Sequence, residues 1–218
     1  MQNDVSPSEL VDWLGQGRFL IYLVVIAWIV SILNFGLLGK TLNCWGVRPR
    51  SWRGLVGILV SPFLHGDWRH LEGNSKYFLI LGGLIVLKDP TDFAPVTLAV
   101  ALLGGLGVWL VGAPRSVHVG ASGVVFGYLG FLLLRGFIDR NVASALVTTL
   151  VAFFYARFLW GVLPTGDRIV GRRLVRISWE GHFFGLLGGF FAARHLTEVK
   201  AAFGQVMTIV GQLEAWVR

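Results

Sequence analysis

Charge is scarce in this chain. Asp, Glu, Lys and Arg supply 14% of its 218 residues, where a soluble domain carries about 25%. That shortage excludes an ordinary water-soluble globule. The 55% hydrophobic content and mean hydropathy of +0.68 point instead to lipid as the solvent. Cysteine is nearly absent as well. Cys44 stands alone, which excludes an internal disulfide and a cysteine-based zinc cluster. The five histidines carry no His-Glu-x-x-His motif, and His65 and His70 are too far apart in register for one helical face. No metal and no cofactor is therefore expected. The first 17 residues lack a basic start and a short apolar core, so no cleavable signal peptide is expected. Acidic residues are the rarer sign, leaving a net charge of +7. The basic residues occupy short loops between apolar runs and form no contiguous polar face. Anionic lipid headgroups account for them, and nucleic acid is not an expected partner.

What is present is a series of long apolar runs. A helix needs about 20 apolar residues to cross the hydrocarbon. By that measure six spans are predicted, at 19–38, 69–87, 93–112, 121–138, 143–163 and 179–195. Residues 1–18 read as a polar segment with a short helix, capped by Ser6 with Pro7 at its first position and Glu9 completing a capping box. A long, partly apolar connection, 39–68, follows the first span. After 195 the apolar residues Val199, Phe203, Val206, Val210, Leu213 and Val217 recur at steps of four and three, an amphipathic helix period. Lys200 and Glu214 argue against a seventh span, so this tail, 196–218, is expected on the membrane surface or against a partner helix. The expected fold class is an all-α membrane protein of six spans with a C-terminal amphipathic helix.

Alternate spans run in the same direction, so spans two, four and six begin at one membrane face. The unusual polar residues cluster in those first turns. Polar groups inside a bilayer are expensive and are functional candidates by default. Ser122 sits in Gly120-Ala121-Ser122-Gly123, where a loop turns into a helix. The glycines clear space around the hydroxyl, and the helix start offers free N–H groups that suit a developing oxyanion. Such a cluster also serves plain close packing of helices. His182 opens span six, and Gly185 lies nearly one turn later on roughly the same face. Imidazole is the usual base for a serine hydroxyl; a buried histidine bonded to a carbonyl is the plainer alternative. His70 and Asn74 are four apart, on one face, and both can donate hydrogen bonds as an oxyanion hole requires. They would equally serve as glue between helices. Phe126, one turn after Ser122, could hold an imidazole by stacking. Glu72 and Glu180 point away from the candidate histidines by spacing, so a Ser–His pair without a carboxylate is expected. His118, in the loop before Ser122, is not expected to be the base.

The segments His65-Gly66-Asp67-Trp68-Arg69-His70-Leu71-Glu72-Gly73-Asn74, Gly120-Ala121-Ser122-Gly123 and Gly181-His182-Phe183-Phe184-Gly185 lie in this order on spans two, four and six. Together they resemble the rhomboid family of intramembrane serine proteases over about residues 19–195. The resemblance implies a six-helix rhomboid-like bundle, Ser122 as nucleophile and His182 as general base. It implies an oxyanion hole from the Ser122 N–H, Asn74 and His70, with Gly120 and Gly185 allowing close approach of helices. Substrates would be transmembrane proteins with helix-breaking residues, entering beside spans two and five. Where the family often has Tyr, this chain has Phe126. The connection 164–178, with Arg168, Arg172, Arg173 and Arg176, is long and basic where the family caps its site. Family topology also puts the N-terminus inside and the site toward the outer face of a bacterial plasma membrane, against the positive-inside bias of the loops. Two other readings compete: a non-catalytic rhomboid-like protein that binds transmembrane helices, and a small-molecule transporter. The latter predicts matching broken halves, which the sequence lacks.

Overall fold

The computed structural model describes residues 7–164, 168–170, 173–175 and 178–217. Among the described residues eight α-helices run in chain order: α1 Pro7–Gly36, α2 Trp52–Val60, α3 Trp68–Lys88, α4 Pro90–Val111, α5 Ser122–Ile138, α6 Val142–Tyr155, α7 Trp179–Arg194 and α8 Leu196–Val217. A 3-10 segment, Ala156–Val162, continues α6. Among the described residues three stretches are long and apolar enough to cross a membrane: Val11–Gly36, Pro90–Val111 and Val142–Val162. The chain is an integral membrane protein.

Three features depart from expectation. The N-terminal segment and first span are one continuous 30-residue helix, α1, that passes the expected 18/19 boundary unbroken. Gly15 and Gly17 weaken that boundary but no proline interrupts it, and a helix tolerates isolated glycines at about 1 kcal/mol each. Ser6, the expected cap, lies outside the described residues. Connection 39–68 is not a loop throughout, because it folds α2, whose N-terminus Ser51 caps by accepting from the Gly54 N–H. Connection 164–178 contains two short strands, β1 (Arg168–Val170) and β2 (Arg173–Val175), that pair antiparallel with Ile169 opposite Leu174. Their β-branched residues, Ile169, Val170 and Val175, favour a hairpin. Arg172 and Arg176 lie outside the described residues.

The centre is built from α5 and α7, both shorter than α1, α3, α4 and α8. Glycine lets them touch backbone to backbone. A side chain at Gly185 would collide with the Gly123 carbonyl, one at Gly189 with the Gly127 carbonyl, and one at Gly130 with the Leu186 carbonyl. Around this seam Tyr128, Phe93, Phe131, Leu81 and Ile85 are buried from lipid and water alike. The Tyr128 hydroxyl is satisfied by Thr97 Oγ1 at 2.7 Å.

One end of the bundle gathers the charges. Asp139 at the end of α5 pairs with Lys88 and Arg135 and accepts from Ser144 Oγ at 2.7 Å. Beside it Lys200 donates to Asp92 Oδ1 at 2.8 Å and lies 3.5 Å from Asp89. That contact ties the start of α8 to the start of α4. Phe203 and Met207 then close a cavity of about 440 Å³ together with α1 and α4. The tail helix packs on its own chain; its far side, including Leu213 and Trp216, remains exposed.

Candidate active site

The opposite end holds the candidate residues, and its geometry starts from one turn. Gly120 has φ +114°, a conformation that side chains rarely adopt. Its N–H donates to the Ser61 carbonyl at 2.9 Å. A methyl group here would lie 2.6 Å from His70 Cε1 and Nε2 and 3.1 Å from Asn74 Nδ2. Glycine therefore brings the backbone just before Ser122 against the polar face of α3. Ser122 is the first residue of α5, and no side chain caps that helix. Its first N–H groups stay open.

The two α3 donors are poised by their surroundings. Asp67 caps α3 by accepting from the His70 N–H at 2.9 Å. The Gly66 N–H approaches His70 Nδ1 at 3.5 Å, which makes Nδ1 the acceptor and leaves the proton on Nε2, on the ring edge that faces Gly120. Asn74 is buried, and its Nδ2 has no hydrogen-bond partner among the described residues. Buried amides without partners are rare and call for an explanation. The loop before α3 is itself anchored: Asn43 Nδ2 donates to the His65 carbonyl at 2.9 Å and Lys40 Nζ to the Gly66 carbonyl at 2.6 Å. His65 is pushed down to about 4 by burial and then by neighbouring His70, so it is neutral near pH 7.

His182 is held from two directions. Its Nδ1 lies 2.9 Å from the Gly161 carbonyl oxygen. A carbonyl only accepts, so Nδ1 carries the proton and the Nε2 lone pair is left free. Phe126 stacks on the ring at 4.1 Å and 10°. Ser122 precedes Phe126 by one turn on the same face of α5. The backbone contact of Gly185 with Gly123 sets α5 and α7 close enough for this. Thus His70, Asn74, Gly120, Ser122, Gly123, Phe126, His182 and Gly185 fall in one neighbourhood. No carboxylate occupies His182 Nδ1, because a backbone carbonyl does. Among the described residues no cluster of His, Cys, Asp and Glu is arranged for a metal.

Three contributors escaped the sequence reading. Gly161 supplies its carbonyl from the 3-10 segment, and nothing in a glycine's identity announces that. Ser178 caps α7 by accepting from the Gly181 N–H at 3.2 Å; a serine just before an apolar helix was a readable signal. His118 bonds Ser178 Oγ through Nδ1 at 2.6 Å and Ser116 Oγ through Nε2 at 2.7 Å. It splices the loop before Ser122 to the start of α7. A small cavity of about 50 Å³ lies between His118, Ser178, Gly181 and Ser122, room enough for a water.

The family model for the Rhomboid domain matches residues 49–198, which contain every residue of this neighbourhood. The chain belongs to the rhomboid family. Similar proteins include one from Mycobacterium tuberculosis, named as uncharacterized, that is 34% identical over 186 residues, 83% of this chain and 75% of that protein. A Mycobacterium leprae protein, also named as uncharacterized, is 33% identical over 195 residues, 87% of this chain and 75% of its own length. Rhomboid protease GluP of Bacillus subtilis is 29% identical over 175 residues, 76% of this rhomboid but 32% of GluP. The family match begins inside the first connection and ends at the start of α8, so α1 and most of α8 lie outside it.

Proposed function

We propose that this rhomboid is an intramembrane serine endopeptidase that cleaves transmembrane proteins. The observation that carries the reading is the convergence at Gly120: an unpartnered Asn74 amide and His70 Nε2 meet the uncapped start of the helix that carries Ser122. Six spans cross the bilayer in this reading, α1 and α3 to α7, with the site opening toward the outer face of the bacterial plasma membrane.

Catalysis follows from the hydrogen inventory. Ser122 Oγ attacks the scissile carbonyl carbon while His182 Nε2 takes the hydroxyl proton. The Gly161 carbonyl and the Phe126 ring hold the imidazole, and the carbonyl stabilises the Nδ1–H of the cation that forms. The developing oxyanion is received by the Ser122 N–H, Asn74 Nδ2 and His70 Nε2–H. His182 returns its proton to the departing amine, and the C–N bond breaks to leave an ester on Ser122. Water, deprotonated by His182, then attacks the ester; His182 passes that proton to Ser122 Oγ as the ester C–O bond breaks, freeing the new carboxyl end. The substrate arrives through the groove between α3 and α6, a cavity of about 330 Å³ walled by Tyr77, Tyr155 and Phe158.

A fluorophosphonate probe tests the assignment on the full chain in detergent. Labelling of the wild type that vanishes in both Ser122→Ala and His182→Ala supports an activated pair. An unlabelled wild type that still captures transmembrane segments would replace the protease by a helix-binding relative.

A further inference from the structure

The groove between α3 and α6 carries two cations that the reaction does not use. Lys76 lies two residues beyond Asn74 on α3, and Arg157 lies one turn before Gly161 in the 3-10 segment. Both line the groove and both are exposed. Lys76 Nζ stands 5.6 Å from the centre of the Tyr77 ring, and the Arg157 guanidinium 5.8 Å from that of Phe158. Neither enters an ion pair or hydrogen bond among the described residues. Elsewhere in the bundle the cations of the charged end, Lys88, Arg135 and Lys200, are matched by Asp139, Asp89 and Asp92.

Position makes this notable. Lys76 stands two turns into α3, about 12 Å along the helix axis from Trp68. Cations at membrane depth are costly, are kept for a reason, and ordinarily have a partner. The two charges rise from opposite walls of one groove, so an occupant between them is met from both sides. The floor of that groove leads inward by aromatic contacts. Tyr77 meets Phe158 at 4.6 Å, Phe158 meets Phe126 at 6.4 Å, and Phe126 covers His182. Two rings, Phe158 and Phe126, thus stand between the groove and His182. The groove is the one through which a substrate enters in the reading above, so a polypeptide passing between its walls is the occupant the two cations would meet.

We propose that Lys76 and Arg157 select substrates that carry an acidic side chain in the segment occupying the α3–α6 groove. The Asp or Glu carboxylate replaces water on both cations, and the aromatic faces beneath keep the charges from turning away. This inference rests on the endopeptidase reading above.

The test uses the full chain in phosphatidylcholine vesicles with a single-pass reporter carrying Asp, Asn or Lys at successive positions beside the cut. An Asp at one register is expected to raise kcat/KM about tenfold over Asn, the scale of one charge-assisted contact. The charge-reversed Lys76→Glu, Arg157→Glu protein is expected to prefer Lys at that same register, and this rescue shows that the variant is folded. Photo-crosslinking of the same reporters to Ser122→Ala reads binding without turnover. Equal cleavage of Asp and Asn reporters at every register overturns the proposal. So does a preference that survives charge reversal, or one that appears only when anionic lipid is added, which would assign the cations to headgroups. Charge-selective crosslinking without any cleavage by the wild type would refute the endopeptidase and leave the groove's selectivity standing. Turnover without charge selectivity would do the reverse.

Discussion

The two ends of the bundle treat their central polar groups differently. At the charged end Asp139 takes Lys88, Arg135 and Ser144, while Lys200 is matched by Asp92 and Asp89. At the site end the Asn74 amide has no partner, α5 has no cap, and His182 leaves one nitrogen open. Both ends lie at the margins of the same apolar core, so depth alone does not explain the difference. Satisfied groups fix helices to one another, and unsatisfied groups are held ready for something that arrives. The neighbours of α5 sharpen the contrast: α3 and α7 start under Asp67 and Ser178, and only the serine-bearing helix between them starts bare.

The comparison breaks or holds by experiment. The largest effect belongs to Ser122→Ala, expected to lower kcat by at least about 10⁴-fold with the thermal unfolding midpoint unchanged. Asn74→Ala is expected to cost about 10²–10³ in kcat with KM nearly constant, the signature of a donor used only in the transition state. Should it instead lower stability and spare kcat, Asn74 is structural glue and the site end resembles the charged end. Gly185→Val drives a side chain into the Gly123 carbonyl and is expected to destabilise by about 3 kcal/mol in chemical unfolding.

Asp139→Ala tests the charged end. It strips the partner from Lys88 and Arg135 and is expected to cost about 2 kcal/mol while the activity of the folded fraction persists. Burial alone raises the Asp139 carboxyl, but Lys88, Ser144 and Arg135 outweigh it and hold the group below the ordinary carboxylate value. A carboxylate depressed in this way stabilises fully above its unfolded value of about 3.9, and the contribution fades as pH falls through the folded value. Unfolding midpoints of the wild type should therefore drop below about pH 4, and Asp139→Asn should flatten that drop. The smallest effect is expected from Phe126→Ala, about tenfold in kcat from loss of one stacked ring, with Phe126→Tyr restoring it.

Much of this was legible because lipid simplifies the code. Apolar runs announced the positions of α3 through α7, and the rarity of polar residues within them singled out Ser122, His182, His70 and Asn74. Glycine at 120, 123 and 185 was readable as room for approach, though not as contact with particular carbonyls. The α1 boundary was missed because composition changes at residue 18 while helix propensity does not. The strand pair 168–170 and 173–175 was missed because Arg between β-branched residues reads as a basic loop when only charge is counted. The tail is a helix, α8, as its period predicts, yet the ion pair of Lys200 with Asp92 ties its start to α4. That residue had argued only against a span. Gly161 was invisible for a different reason: its part is played by a main-chain oxygen, and every residue has one.

That oxygen has a consequence beyond holding a ring. It stands on the segment that continues α6, one wall of the groove between α3 and α6, so in the proposed mechanism the base takes its bearing from the door. Were α6 to swing aside, the Gly161 carbonyl would travel with it and His182 would lose its aim until the wall returned. Admission and ignition would then share one hinge, and an unattended, gaping site would be a quiet one.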